Sequence, residues 1–321
     1  SISELYCNQA LGQFVWNKIL DIGQIKPNDN IYIIPSGIFN RLSIENLTLD
    51  SKSPISDQYT INRISSFHNI NTNNYLYSSD DTCVAYGDID YTGSDYLKTN
   101  DNKTLNSNPV AILDRRQLGG LSSTLEVVKT IAKTISNTRM IVGKNANESA
   151  FNQLSNNSPE ILFMGTHGFN YEYSEISDKD REYLLGKYRD RKLSDEEQSM
   201  YTSGLFMAKS NSDNILTDGM LTANEVGFCN LDNTKLAVLS ACSTAMDTTS
   251  TEGVYGLQRG FKIAAVKSII ASLWDVDEYA TRLLMGEFFR NYTKGCTKYE
   301  ALKKAQNYVR KYKSNDIFNP V

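Results

Sequence analysis

Two residue types able to do nucleophilic chemistry stand out by scarcity and setting. The 321-residue chain holds only two histidines, His68 and His167, and five cysteines, Cys7, Cys83, Cys229, Cys242 and Cys296. Cys242 follows an apolar run in KLAVLSACST, behind the small residues Ser240 and Ala241, and His167 follows another in EILFMGTHG. A thiol is a weak nucleophile until it loses its proton. An imidazole within reach takes that proton and later delivers it to a leaving amine. The small residues Gly165, Gly168, Ser240 and Ala241 leave room for a substrate backbone. The N–H of Gly168, with that of Cys242, can face a developing oxyanion. Taken singly, a cysteine at a strand end is ordinarily a small buried hydrophobe, and a lone histidine a surface or satisfied core group. It is the pair, both at strand ends, that points to chemistry. His68, in the polar SSFHNI, reads as structural or exposed, and the other four cysteines read as inert.

Elements must bring together two residues that are 75 positions apart. From about residue 120 the pattern alternates helix and strand. Ser123 with Glu126 carries a capping-box signature before LEVVKTIAKTI, and Thr222 with Glu225 and Thr297 with Glu300 repeat it. RMIVG (139–143), EILFMGTHG (160–168, ending at His167), SGLFMA (203–208), KLAVLS (235–240) and KSIIASLW (267–274) read as strands. NESAFNQL, GVYGLQRGFKIA (253–264) and EYATRLLMGEFFRNY (278–292) read as helices. Upstream, residues 3–20 have loose helical spacing, and NIYIIP (30–35), YTINRISSF (59–67) and TCVAYGD (82–88) are strand candidates. Strands apolar on both faces, alternating with helices, specify an α/β fold with a mainly parallel sheet flanked by helices on both faces. Function in such sheets gathers beyond the carboxyl ends of the strands, where His167 and Cys242 fall.

Composition narrows the chemistry. A formal net charge of −4 argues against a broad nucleic-acid-binding face. The longest apolar runs, such as SIIASLW, fall far short of the ~20 residues a spanning helix needs, and no signal peptide opens the chain. An odd number of widely spaced cysteines without CxxC argues against a disulfide framework and a zinc site, and fits a reducing cytoplasm. No Walker A motif, GxGxxG or GxSxG elbow occurs. The residues therefore lead us to expect no metal, no cofactor, no nucleic acid and no membrane association.

Five segments, in order, resemble the CHAT domain: THGF, LTANEV, LAVLSACSTAM, EGVYGLQRGF and SIIASLWDVDEYATRLLMGEFF. IYIIPSGIFNRLSIENL is similar to the family's early strand and turn, and LGGLSSTLEVVKTIA lies where the family carries a helix. The resemblance implies a caspase-like fold related to separase and clostripain, and a cysteine peptidase whose catalytic dyad is His167 and Cys242. It also implies a pocket acid after the LWDV-like segment, so Asp275 or Asp277 is expected to select a basic P1 side chain, to which a desolvated carboxylate binds bidentately. The residues themselves offer Asp277 equally as the N-cap of EYATRLLM, and an apolar P1 stays open.

The expected organisation is an N-terminal helical segment (1–27) followed by the caspase-like domain (28–321). That domain divides into a weaker sub-half (28–115) and a catalytic half (116–321). An inserted charged loop (171–203) is read either as a solvated helical hairpin or as a regulatory lid open to self-cleavage. The chain opens at Ser1 without Met, so a fragment or processed form is expected, lacking the family's closing strand. By resemblance, an upstream helical-repeat region or activating partner and a bacterial signalling or defence role are expected. The expected function is cleavage of a protein substrate. The competing readings are a catalytically silent scaffold and a thiol-dependent acyl transferase using the same dyad.

Overall fold

The computed structural model describes residues 2–27, 29–36, 39, 42–50, 53–64, 75–91, 118–171, 173, 185, 192–209, 218–240, 252–272 and 277–312. They fall into two compact units, residues 1–74 and 75–320.

The first unit contains α1 (Ile2–Tyr6), α2 (Gln9–Gly23), β1 (Asn30–Ile33) and β2 (Thr60–Arg63), the two strands pairing in parallel. Asn8 caps α2 by accepting the Leu11 N–H at 3.1 Å. Trp16 is fully buried, and its indole N–H donates to the Ile44 carbonyl at 2.7 Å, so the largest apolar group of the unit carries no unsatisfied donor. Arg63 grips Glu45 through two nitrogens, each contact 2.8 Å, and fixes the end of β2.

In the second unit the chain runs β3 (Cys83–Ile89), α3 (Ser122–Thr134), β4 (Thr138–Gly143), α4 (Glu148–Asn152), β5 (Ile161–Gly165), β6 (Gly168–Asn170) and α5 (Asp195–Thr202). It continues through β7 (Ser203–Phe206), β8 (Met220–Thr222), α6 (Ala223–Phe228), β9 (Leu236–Ser240), α7 (Glu252–Ile263), β10 (Ile269–Ala271), α8 (Glu278–Tyr292) and α9 (Lys298–Lys311). Five strands form an all-parallel sheet in the order β10-β9-β5-β3-β4, as the apolar runs required. β6, β7 and β8 form a separate antiparallel sheet.

Strand side chains alternate between the two faces, and both faces are covered. Cys83, Ala85, Ile161, Phe163, Leu236 and Val238 pack in one cluster with Val128 and Ile131 of α3, Phe288, Phe289 and Tyr292 of α8, and Ala301 and Ala305 of α9. Val84, Tyr86, Leu162, Met164, Ala237 and Leu239 pack in the other with Phe151 of α4, Val226 of α6, Phe261 of α7, and Phe169, Leu205 and Leu221 of the small sheet. Burying each large side chain contributes roughly 1.5–3 kcal/mol. α7 lies close against its neighbours because Gly256 and Gly260 carry no side chain. A Cβ on Gly260 would clash with the Ala223 carbonyl, and one on Gly256 with Ser199.

Glu160 sets the register of the three central strands at their amino edge. Its carboxylate accepts from the Thr82 N–H (2.8 Å) and hydroxyl (2.7 Å), just before β3, and from the Asn233 amide (2.9 Å), ahead of β9. Its carbonyl accepts the Lys235 and Leu236 N–H groups at 2.8 and 3.1 Å. Burial alone would raise the Glu160 pKa, but the hydrogen bonds from Thr82 and Asn233 outweigh it and hold it down at about 2.

Two local expectations change. Ser123 is not a cap: α3 starts at Ser122 behind Leu121, which makes no side-chain cap bond. Thr124 instead ties this end to β3, accepting the Asp88 N–H at 2.7 Å, while Glu126 pairs with Lys129. The strand expected over 160–168 ends at Gly165, and Gly168 opens a strand of the other sheet, so His167 sits in the bend between two sheets. The 171–203 stretch, expected as a solvated helical hairpin or a lid, ends in a helix, α5, with a capping box formed by Ser194 and Glu197. The capping boxes at Thr222 and Thr297 form as expected.

Two substitutions test this packing. Helix propensity alone predicts that Gly260→Ala stabilises a helix interior by roughly 1 kcal/mol. The close approach to Ala223 reverses the sign, and urea melts should show a loss of about 1–3 kcal/mol. For Glu160 the carboxylate pKa is lowered on folding, so its contribution is present above the unfolded value of about 4.3 and disappears as pH falls toward 2. Glu160→Gln should lower stability at pH 7 and flatten the acid limb of a stability–pH profile in that window; an unchanged acid limb would contradict the clamp.

Candidate active site

β5 is the central strand, and its neighbours β3 and β9 run parallel to it, so the carboxyl ends of all three lie side by side. The chain leaves β3 for an edge position at β4 and leaves β5 toward β9, so the order reverses between β3 and β5. That reversal opens the crevice where α/β sheets bind their ligands. Gly165 of β5 pairs with Ser240 of β9, and the Thr166 N–H donates to the Ser240 carbonyl at 3.3 Å. His167 therefore follows the register pair by two positions on one strand, as Cys242 does in sequence on the other.

His167 is held at several points although it lies in a bend. Only 8% of it is exposed. Its ring Nε2 lies 2.9 Å from the Gly119 carbonyl, on the segment leading into α3. A carbonyl can only accept, so the Nε2 carries the hydrogen and the Nδ1 the lone pair of the neutral ring. The His167 N–H donates to the Tyr91 hydroxyl at 3.3 Å, and the His167 carbonyl accepts the Phe206 N–H at 2.9 Å. The Tyr91 ring packs against the imidazole with centroids 5.2 Å apart. Such an imidazole has its orientation fixed and is suited to general base work through Nδ1.

Gly168 pairs with Leu205 across the antiparallel ladder. The backbone bonds fall on the flanking residues, from Phe206 to His167 and from Tyr171 to Thr202. Antiparallel pairs alternate between bonded and non-bonded, so the Gly168 N–H points away from β7 and the ladder does not use it. A donor in that position, adjacent to the imidazole residue, is available to an oxyanion.

Asp277 is the N-cap of α8, its carboxylate accepting the Ala280 N–H at 2.7 Å. Cys242, Asp275 and His68 lie outside the described residues. The remaining cysteines are free thiols. Burial pushes Cys83 up to about 12 and raises Cys229, which keeps both in the unreactive protonated form. Cys296 accepts a hydrogen bond from the Lys304 ammonium at 3.1 Å, and Cys7 is exposed. Among the described residues, no group of three or more His, Cys, Asp or Glu side chains could hold a metal ion, and no helix is long and apolar enough to cross a membrane.

Sequence reasoning did not single out Gly119, Thr166 or Tyr91. A signal for Tyr91 was present. A parallel sheet gathers its strand ends on one edge, and Tyr91 stands two positions past Ile89, the end of β3, as His167 stands two past Gly165. Gly119 carried no such signal, because its contribution is a backbone carbonyl.

A scan against protein families matches the CHAT domain over residues 7–319, nearly the whole chain. A search of curated proteins returns no match. With the parallel α/β sheet and the histidine at its carboxyl edge, the chain belongs to the CHAT-domain family, which is caspase-like and protease-related.

Proposed function

We propose that the protein is a cysteine endopeptidase acting on protein substrates through Cys242 and His167. The observation that carries this reading is the β5–β9 register. Gly165 and Ser240 are paired, and the base and the thiol each follow by two residues. The Nδ1 lone pair of His167, fixed by the Nε2 contact to Gly119, takes the Cys242 proton. The thiolate sulfur attacks the scissile carbonyl carbon, and the oxyanion is met by the Gly168 and Cys242 N–H groups. His167 then protonates the leaving amine as the C–N bond breaks, leaving a thioester. Water, deprotonated by the same imidazole, attacks the thioester, releases the carboxylate and restores the thiol. No metal or organic cofactor enters these steps.

For substrate selection, Asp277 already spends a carboxylate oxygen on the cap of α8. Asp275 is then the stronger candidate to pair with a basic P1 side chain.

A panel of peptides varied at P1, with a thiol-reactive peptide probe, tests the proposal. Cys242 should be the labelled cysteine, Cys242→Ala should abolish turnover, and His167→Ala should lower kcat/KM by roughly 10²–10⁴. Labelling spread over several cysteines, with no turnover on any peptide, would instead indicate a binding module. Product bearing a new acyl partner rather than a free carboxylate would indicate acyl transfer. Asp275→Asn should reduce the preference for Arg and Lys at P1 while leaving cleavage after apolar residues unchanged. Equal losses on all substrates would remove Asp275 from the specificity pocket.

A further inference from the structure

The first rung of the β6–β7 ladder is built from side chains where backbone would ordinarily serve. His167 and Phe206 face each other just before the Gly168–Leu205 pair, and the Phe206 N–H donates to the His167 carbonyl at 2.9 Å. In a regular bonded pair the His167 N–H would return a bond to the Phe206 carbonyl. It donates instead to the Tyr91 hydroxyl at 3.3 Å, and the Phe206 carbonyl accepts from the Thr166 hydroxyl. The two hydroxyls lie 2.9 Å apart.

Counting hydrogens fixes the direction of this network. Each hydroxyl has one hydrogen. Thr166 gives its own to Phe206, so toward Tyr91 it accepts, and Tyr91 donates. The order is His167 N–H to Tyr91, Tyr91 O–H to Thr166, Thr166 O–H to the Phe206 carbonyl, then Phe206 N–H back to the His167 carbonyl. The ring of bonds closes around the His167 peptide. Tyr91 and Thr166 are both almost fully buried, so water does not compete for these bonds.

We infer that Tyr91 is a positioning residue for His167: through the Thr166–Phe206 ring it sets the His167 backbone, and through its aromatic face it sets the imidazole plane that Gly119 then fixes. This rests on the dyad reading above for its catalytic meaning, but the geometric claim stands on its own. Burial is the main reason the phenol is pushed up to about 12, so Tyr91 stays a donor throughout the neutral range. Asp88 is the charged group acting on it.

Tyr91→Phe keeps the ring and removes the hydroxyl. With only two histidines in the chain, ¹⁵N-histidine NMR resolves the imidazoles directly. Wild-type protein should show His167 with hydrogen on Nε2, and Tyr91→Phe should show averaging between tautomers. Alkylation of Cys242 by a haloacetamide near neutral pH should slow about tenfold, with the pH–rate profile displaced toward that of His167→Ala. Thr166→Val should reproduce these effects and Thr166→Ser should not, and this pair carries the test if Tyr91→Phe fails to fold by circular dichroism. Unchanged His167 resonances and a pH–rate profile superimposable on wild type in Tyr91→Phe or Thr166→Val would overturn the inference. If His167→Ala itself leaves alkylation of Cys242 unchanged, the dyad reading fails and the catalytic sense of the positioning with it. The NMR result still decides whether Tyr91 orients the ring.

Discussion

The candidate site depends on the register of three parallel strands. A parallel pair cannot fix its own register through a tight turn, since its ends are joined by long crossovers. Here a single acid at the amino edge supplies the constraint. Glu160 uses both carboxylate oxygens and its carbonyl to hold the starts of β3 and β9 on either side of β5. A slip of one residue would invert which side chains face each helical layer. The same register pairs Gly165 with Ser240 at the far edge, so a contact at one end of the sheet decides which residues meet at the other.

At the carboxyl edge the problem is local. His167 lies between a parallel and an antiparallel sheet, in a bend where the main chain alone would leave it poorly held. Its N–H, carbonyl and Nε2 are met by Tyr91, Phe206 and Gly119, drawn from three separate stretches of chain. The packing of the sheet therefore converts directly into orientation of an imidazole. The neighbouring Gly168 keeps its N–H out of the ladder as a consequence of the same pairing.

Much of the fold was legible because its signals are local or periodic. Two of the three expected capping boxes formed, and the runs CVAYGDI, ILFMG and LAVLS became strands buried on both faces. Ser123 misled because Thr124, one residue on, spends its hydroxyl on β3, a long-range demand that local pattern does not carry. The antiparallel sheet escaped notice because β6 and β8 are three residues each, too short for alternation to register. For the site, scarcity exposed His167, whereas Gly119 was invisible because a backbone carbonyl leaves no mark in residue type.

For His167 to arm the Cys242 thiol, folding must bring position 167 and Cys242 onto one rim. Disulfide trapping measures this without reference to substrate. In a His167→Cys variant under mild oxidation, peptide mapping should find a 167–242 disulfide, which requires Cα atoms closer than about 7 Å. If position 167 stays reduced, or pairs with Cys7 or Cys296 instead, the shared cleft does not exist and the peptidase reading is wrong.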